Sequence, residues 1–349
     1  MAPPPPPALM DDVIGEILLR LPPDDPACLF RASLVCKPWR CLLSDPAFSR
    51  QYRAFHRTPP PEPNCWILDC RHGRVLLHSF GTPGLVLWDP IAAGKQHLPQ
   101  PVNQYAEDSV LFAAAVLCAS DGCDHLDCRG GPFLVVFAGT QIDDEYGDDE
   151  DAVTWWVSVY SSETGAWSTE VSAHLGPILD GHEVMGSSLL ADALYFTLEE
   201  GQRILKYDLV GRVLPVINAP PTYVGNMALM TAEDGRLGIA GVKGYRLHLW
   251  AWWIGPNGIE KWARGRITEL DMMISIAIGD PSTKLHVVGF AEGAGSIFIR
   301  ANDGIFTVEL KSGRVRKIGK RGDFNTIFPF MSFYTPGTNL MHIDIFHQL

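Results

Sequence analysis

Cys118, Cys123, His125 and Cys128 form the pattern C-x4-C-x-H-x2-C. Three thiols and an imidazole within eleven residues are the donor types that a zinc ion takes. The spacing matches no familiar zinc module, however. Ser120, Asp121, Gly122 and Gly130-Gly131 around it read as a plain surface loop. The sequence therefore predicts no resident metal and no other cofactor. Further chemistry is sparse. There is no G-x-S-x-G turn for a nucleophile, no G-x-x-x-x-G-K-S/T loop for phosphates and no H-E-x-x-H helix for a metal. Residues 289–295, GFAEGAG, are glycine-rich but lack the strand–loop–helix setting of a phosphate site, and read as a hairpin turn. His182-Glu183 is an isolated pair, and nothing in the sequence places two carboxylates as a glycosidase needs them. The expectation is a protein that makes and breaks no covalent bond.

Composition narrows the partners. The chain carries 28 Lys and Arg against 40 Asp and Glu, a net charge of −12, which argues against a nucleic-acid binder because such a protein needs a basic face. Seven of the acids lie in residues 143–151, DDEYGDDED, a block expected to be a solvated loop. No apolar run is long enough to span a membrane. Residues 1–8, MAPPPPPA, lack the basic and apolar regions of a secretory signal and read as a flexible polyproline tail. Eight cysteines without an export signal point to a reducing compartment, the cytoplasm and/or nucleus.

Two kinds of element must carry whatever the chain does. Residues 9–57 read as three or four short helices. Met10, Val13, Ile14, Ile17, Leu18 and Leu21 fall on one face at helical spacing, and Pro22-Pro23 stops the helix. Asp25-Pro26 and Asp45-Pro46 each pair a good N-cap with a proline at the first helical position. Leu34, Val35, Trp39, Leu42 and Leu43 add apolar bulk between them. A unit this small has more apolar surface than it can bury alone. That surface either packs within the head and on the rest of the chain or forms a docking face for a partner's helices.

After a proline-rich linker, residues 58–64, the pattern turns to short strands and turns over residues 65–349. Runs such as Arg74–Phe80, Phe133–Ala138, Ser188–Leu198 and Ser296–Arg300 read as single strands. A weak repeat is visible in strands centred on Trp88, Tyr160, Tyr207, Trp250 and Val308. Tyr160 to Tyr207 is 47 positions and Tyr207 to Trp250 is 43, the length of one four-stranded propeller blade. The longer gap from Trp88 to Tyr160 holds the acidic and cysteine-rich loops. Ile327–Tyr334 is expected to complete a blade begun near Cys65 and so close the ring. Trp250 and Trp252 should share one strand face and Trp253 the other, with a packing role between blades. The fold class is therefore mainly β with a small α head, the body a propeller of about five to six blades.

The head also resembles a known family. Leu34-Val35-Cys36-Lys37-Pro38-Trp39-Arg40, then Leu42-Leu43-Ser44-Asp45-Pro46-Ala47-Phe48, are similar to the second half of an F-box, and Ile14–Pro22 to its first helix. The family usually opens with Leu-Pro, and here that place reads Leu9-Met10. The body resembles, more loosely, the kelch-like propeller that follows the F-box in large plant families. The resemblance implies a substrate-recognition adaptor of an SCF-type (Skp–cullin–F-box) ubiquitin ligase. Its head would dock a Skp-type adaptor, and through it a cullin–RING ligase, while the propeller recruits a protein substrate. The implied contact positions are Leu9, Ile14, Ile17, Leu18, Leu21, Pro22, Leu34, Val35 and Trp39. The alternatives are a propeller scaffold outside any ligase with a degenerate F-box, and a propeller that binds a glycan or small molecule.

Overall fold

The computed structural model describes residues 11–21, 26–56, 65–79, 84–90, 94–101, 112–123, 125, 128, 130–142, 152–177, 185–198, 202–220, 227–270, 284–302, 304–319, 327–332 and 342–347. The polyproline tail, the linker 58–64, the acidic block 143–151, and Leu9, Pro22, His182 and Glu183 lie outside these residues.

The head contains four helices among the described residues: α1 (Asp11–Leu19), α2 (Pro26–Val35), α3 (Lys37–Leu43) and α4 (Pro46–His56). The α4 start follows its sequence signal, since the Ala47 N–H donates to Asp45 Oδ1 at 2.8 Å and so satisfies one of the donors a helix start leaves free. At the other end of α1, the Tyr52 hydroxyl donates to the Leu21 carbonyl at 2.7 Å and the His56 ring lies 2.7 Å from the Leu19 carbonyl. α4 thereby partners the Leu19 carbonyl, which α1 leaves free at its end, and the Leu21 carbonyl just beyond it.

Among the described residues the body is a propeller of five blades, each a four- or five-stranded antiparallel sheet, with one further two-stranded sheet. Blade one is β1 (Cys65–Arg71), β2 (Arg74–Ser79), β3 (Gly84–Trp88) and β4 (Lys95–His97). Blade two is β5 (Phe112–Cys118), β6 (Phe133–Ile142) and β7 (Ala152–Ser161), with an outer edge split into β8 (Ala166–Trp167) and β9 (Val171–Pro177), both paired to β7. Blade three is β10 (Met185–Leu190), β11 (Ala193–Leu198), β12 (Arg203–Asp208) and β13 (Val216–Asn218). Blade four is β14 (Met227–Thr231), β15 (Leu237–Lys243), β16 (Arg246–Ile254) and β17 (Glu260–Glu269). Blade five is β18 (His286–Ala291), β19 (Ser296–Ala301), β20 (Gly304–Glu309) and β21 (Val315–Gly319).

The first strands of successive blades pack side by side around the ring, and the gap between β18 and β1 is filled by β22 (Ile327–Ser332), paired with β23 (His342–His347). This corrects one expectation. The Ile327 strand does close the ring, but it does not complete the blade begun at Cys65, because β1–β4 already form a whole sheet. A second correction concerns Ser188–Leu198, which is not one strand. Its second half turns back on its first at Ala191, where φ is 49°. All five repeat markers, by contrast, fall on the third strand of their blade.

Period-two alternation explains why the inner strands are apolar without a break. In β6, Val135 and Phe137 enter the seam with blade one, while Val136 and Ala138 enter the seam with blade three. In β19, Ile297 and Ile299 face blade four, and Phe298 joins Ile327 of β22. A strand buried on both faces needs no polar side, so its sequence reads as a continuous apolar run. Trp250, Trp252 and Trp262 pack into the seam between blades three and four, the Trp252 and Trp262 rings 5.0 Å apart. Trp253 lies on the other face, under the Lys261 ammonium at 4.9 Å.

The first strands of three blades also meet at polar side chains. Asp69 and Arg71 of β1 form a buried ion pair at 2.9 Å. Asp69 also accepts the Val116 N–H of β5 at 2.8 Å, and Arg71 donates to the hydroxyl and carbonyl of Ser187 in β10. Burial works against the Arg71 charge, but Asp69 and Glu292 outweigh it and hold the guanidinium above its ordinary range. One ion pair thus joins three blades.

Candidate functional site: an apolar face on the helical head

The head buries Ile14, Leu18, Leu19, Leu29, Ala32, Leu43, Phe48 and Tyr52, with Leu21, Trp39 and Leu42 half-buried against them. Every member of this cluster comes from the head itself. What it leaves outside is more informative. Helix α2 turns Leu29, Ala32 and Ser33 inward, and Phe30 and Leu34, four residues apart, outward. Leu34 is 68% exposed, Val35 63% and Phe30 52%. Cys36 and Pro38 continue the open surface into α3. On α1, Ile17 is 43% exposed although its neighbours Ile14 and Leu18 are buried. A helix with apolar residues on both faces is normally covered on both. Here the chain's own core covers one face of α2 and leaves the other to water.

The second cluster lies on the propeller. The donor atoms of Cys118, Cys123, His125 and Cys128 all lie within 4.8 Å of one another. Cys128 Sγ is 3.4 Å from Cys123 Sγ, 3.4 Å from His125 Nδ1 and 3.7 Å from His72 Nδ1. His72 forms the β1–β2 turn with Gly73, and both residues have positive φ. Burial, then the nearby His125, Arg71 and Arg74, push the His72 imidazole down to about 4. Burial and the neighbouring thiols push Cys128 up to about 12. Burial also opposes the Cys118 thiolate, but the Ser120 N–H and the adjacent thiols prevail and draw it below the ordinary thiol range. A plain surface loop has no need of this convergence.

Comparison with known families decides what the head is. An F-box domain model matches residues 9–51, and a model described as F-box protein AT5G49610-like, beta-propeller matches residues 66–337. The chain belongs to this family of F-box propeller proteins. It is thus an F-box adaptor type of protein, and F-box domains in general bind Skp-type adaptors. No curated protein matches the chain. Solved structures that align with it include the PQQ-bound aldose sugar dehydrogenase from Streptomyces coelicolor (14% identity, 79% of this chain and 91% of that chain, TM-score 0.37). A chain of the mitotic checkpoint complex aligns at 10% identity over 79% of this chain and 89% of that one, TM-score 0.39. A protein from Lactobacillus plantarum aligns at 11% identity over 73% and 69%, TM-score 0.42. At such scores they bear on no functional detail.

Within the F-box, the structure sorts the positions that the family pattern implied. Ile17, Leu34 and Val35 face water, and Leu21 and Trp39 are half-buried. Ile14 and Leu18 are core, and a partner cannot reach them unless the head repacks. Phe30 was not among the implied positions, yet it shares the outward face of α2 with Leu34. Its signal in the sequence was the four-residue step to Leu34, offset from the inward Leu29 and Ser33.

Proposed function

We propose that this F-box protein is the substrate-recognition subunit of an SCF-type ubiquitin ligase, acting in the cytoplasm or nucleus. The observation that carries the reading is α2, whose Phe30, Leu34 and Val35 are exposed beside a well-packed core. Covering those side chains is worth roughly 1.5–3 kcal/mol for each one fully buried. A groove or helix pair of a Skp-type adaptor would gain the still-exposed share of that stabilisation by covering them. Membership of the F-box family supports the same partner.

The propeller supplies a rigid platform whose loops are free to hold a protein substrate. The subunit works by proximity: holding the substrate beside the ligase's ubiquitin donor raises the effective concentration of its lysines. No residue of this chain takes part in bond making. The test is co-purification of the full chain with a Skp-type adaptor and cullin. Wild type is expected to bind, and a Leu34→Asp, Val35→Asp variant is expected to lose the complex while keeping its circular dichroism spectrum. Failure of wild type to bind, or unchanged binding by the folded variant, would refute the reading.

A further inference from the structure

We propose that Cys118, Cys123, His125 and Cys128 hold one structural zinc ion that closes the β5–β6 loop of blade two on itself, beside the β1–β2 turn of blade one. The β5–β6 connection is far longer than its counterparts. The same connection, first strand to second, takes residues 72–73 in blade one, 191–192 in blade three, 232–236 in blade four and 292–295 in blade five. In blade two it takes residues 119–132. A connection of that length is uncommon in a compact domain. Its sequence, ASDGCDHLDCRGGP, offers one large aliphatic residue, Leu126, so apolar burial cannot offset the entropy of ordering it. A metal clip can.

The donor atoms also stand near ligand spacing. Zinc bonds of about 2.3 Å to sulfur and about 2.0 Å to nitrogen place tetrahedral sulfur and nitrogen ligands roughly 3.5–3.8 Å apart. Two pairs in the cluster already stand at 3.4 Å, and the whole set lies within 4.8 Å. Closing the widest pair takes about an ångström, within the reach of a side-chain rotation. Four protein ligands complete the tetrahedron and leave no open position, which makes the site structural and not catalytic.

The sulfurs are surrounded by donors. The Ser120 N–H points at Cys118 Sγ at 3.5 Å, and the His125 N–H at Cys123 Sγ at 3.4 Å. Each is a backbone donor two residues beyond its cysteine, placed to orient a metal-bound thiolate. Three thiolates and one Zn2+ leave a net single negative charge. The Arg74 guanidinium faces this charge: it interacts with Cys118 and Cys128, and its buried Nη1 has no hydrogen-bond partner among the described residues. His72, from the neighbouring blade, brings Nδ1 to 3.7 Å from Cys128 Sγ, where an N–H would support the thiolate. Binding releases three thiol protons to solvent and needs no redox partner.

The test uses the full chain purified without chelator, with Cys36→Ser and Cys41→Ser in the head as background, since those thiols are exposed and outside the cluster. Elemental analysis should find about one zinc per chain. Replacement by Co(II) should give the absorption of a four-coordinate ion with three thiolates. Cys123→Ser and Cys128→Ser should each lose the metal and expose the 119–132 loop to protease. Absence of zinc together with no tetrahedral Co(II) spectrum would overturn the proposal. So would metal content unchanged in the ligand variants, or a Cys123–Cys128 disulfide in the intact mass. Where the serine variants are insoluble, the Co(II) spectrum of the background protein decides alone, and charge-transfer intensity for fewer than three thiolates counts against the site.

Discussion

Truncating Leu34 separates docking surface from core, because Leu34 and Leu18 are the same residue type in opposite environments. Leu34 is 68% exposed and Leu18 is 0% exposed. Leu34→Ala removes three carbons, worth about 2.4 kcal/mol when fully buried, at about 0.8 kcal/mol per carbon. Two-thirds of that side chain is still open to a partner, so the complex should lose about 1.6 kcal/mol, or roughly 15-fold in Kd at 1.4 kcal/mol per decade. The fold should lose less than about 1 kcal/mol, the covered third. Leu18→Ala should do the reverse and cost the head about 2–5 kcal/mol of stability, enough to unfold a unit of this size. The assay is calorimetric titration of each full-length variant with a Skp-type adaptor, beside thermal melts. The reasoning fails if Leu34→Ala binds like wild type, or if it melts as low as Leu18→Ala.

Other perturbations probe the propeller. A Cβ on Gly289 would lie 2.5 Å from the Ile327 carbonyl oxygen, so Gly289→Ala should push β22 off β18, cost about 1–3 kcal/mol and speed proteolysis near residue 327. An unchanged melt would show that this seam gives easily. Asp69→Ala strands the buried Arg71 and should cost about 3–5 kcal/mol in a urea titration. The Asp69→Ala, Arg71→Met double variant should recover part of that loss, and additive losses would argue against a coupled pair. His78, His248 and His286 are each held below the ordinary histidine value, first of all by burial. The unfolded chain therefore takes up protons that the fold refuses, so stability is complete above the ordinary value of 6.5 and falls as the pH drops below it. Urea midpoints at pH 7 and pH 5 should show this loss. His78→Leu should reduce it, since His78 is enclosed beside Phe112; equal slopes for both proteins would remove His78 from the account.

Much of the architecture could be read along the chain because it depends on neighbours in sequence. The α1 stripe and the Asp45-Pro46 helix start are local patterns with local causes. The third strands were legible because Trp88, Tyr160 and Tyr207 are large, buried and followed by polar turns. The outer strands β4 and β17 were not. Their side chains are almost all exposed, so no apolar alternation marks them, and pairing to the strand inside them makes them strands. The turn at Ala191 was hidden for the opposite reason: Leu189 and Leu190 before it and the buried strand β11 after it read as one apolar stretch.

The sequence by itself determined the division into helical head and β body, the F-box resemblance and the blade repeat, since side-chain period and turn chemistry act over a few residues. Only the tertiary structure decided which leucines are core and which are surface. Leu18 and Leu34 are chemically identical, and their difference arises from what packs over each. It alone gathered Cys118, Cys123, His125 and Cys128 around one point beside His72 of another blade. It also showed that β22 closes the ring without joining the first blade. Each of these depends on contacts between segments far apart in the chain, whose meeting is settled by the packing of the whole ring.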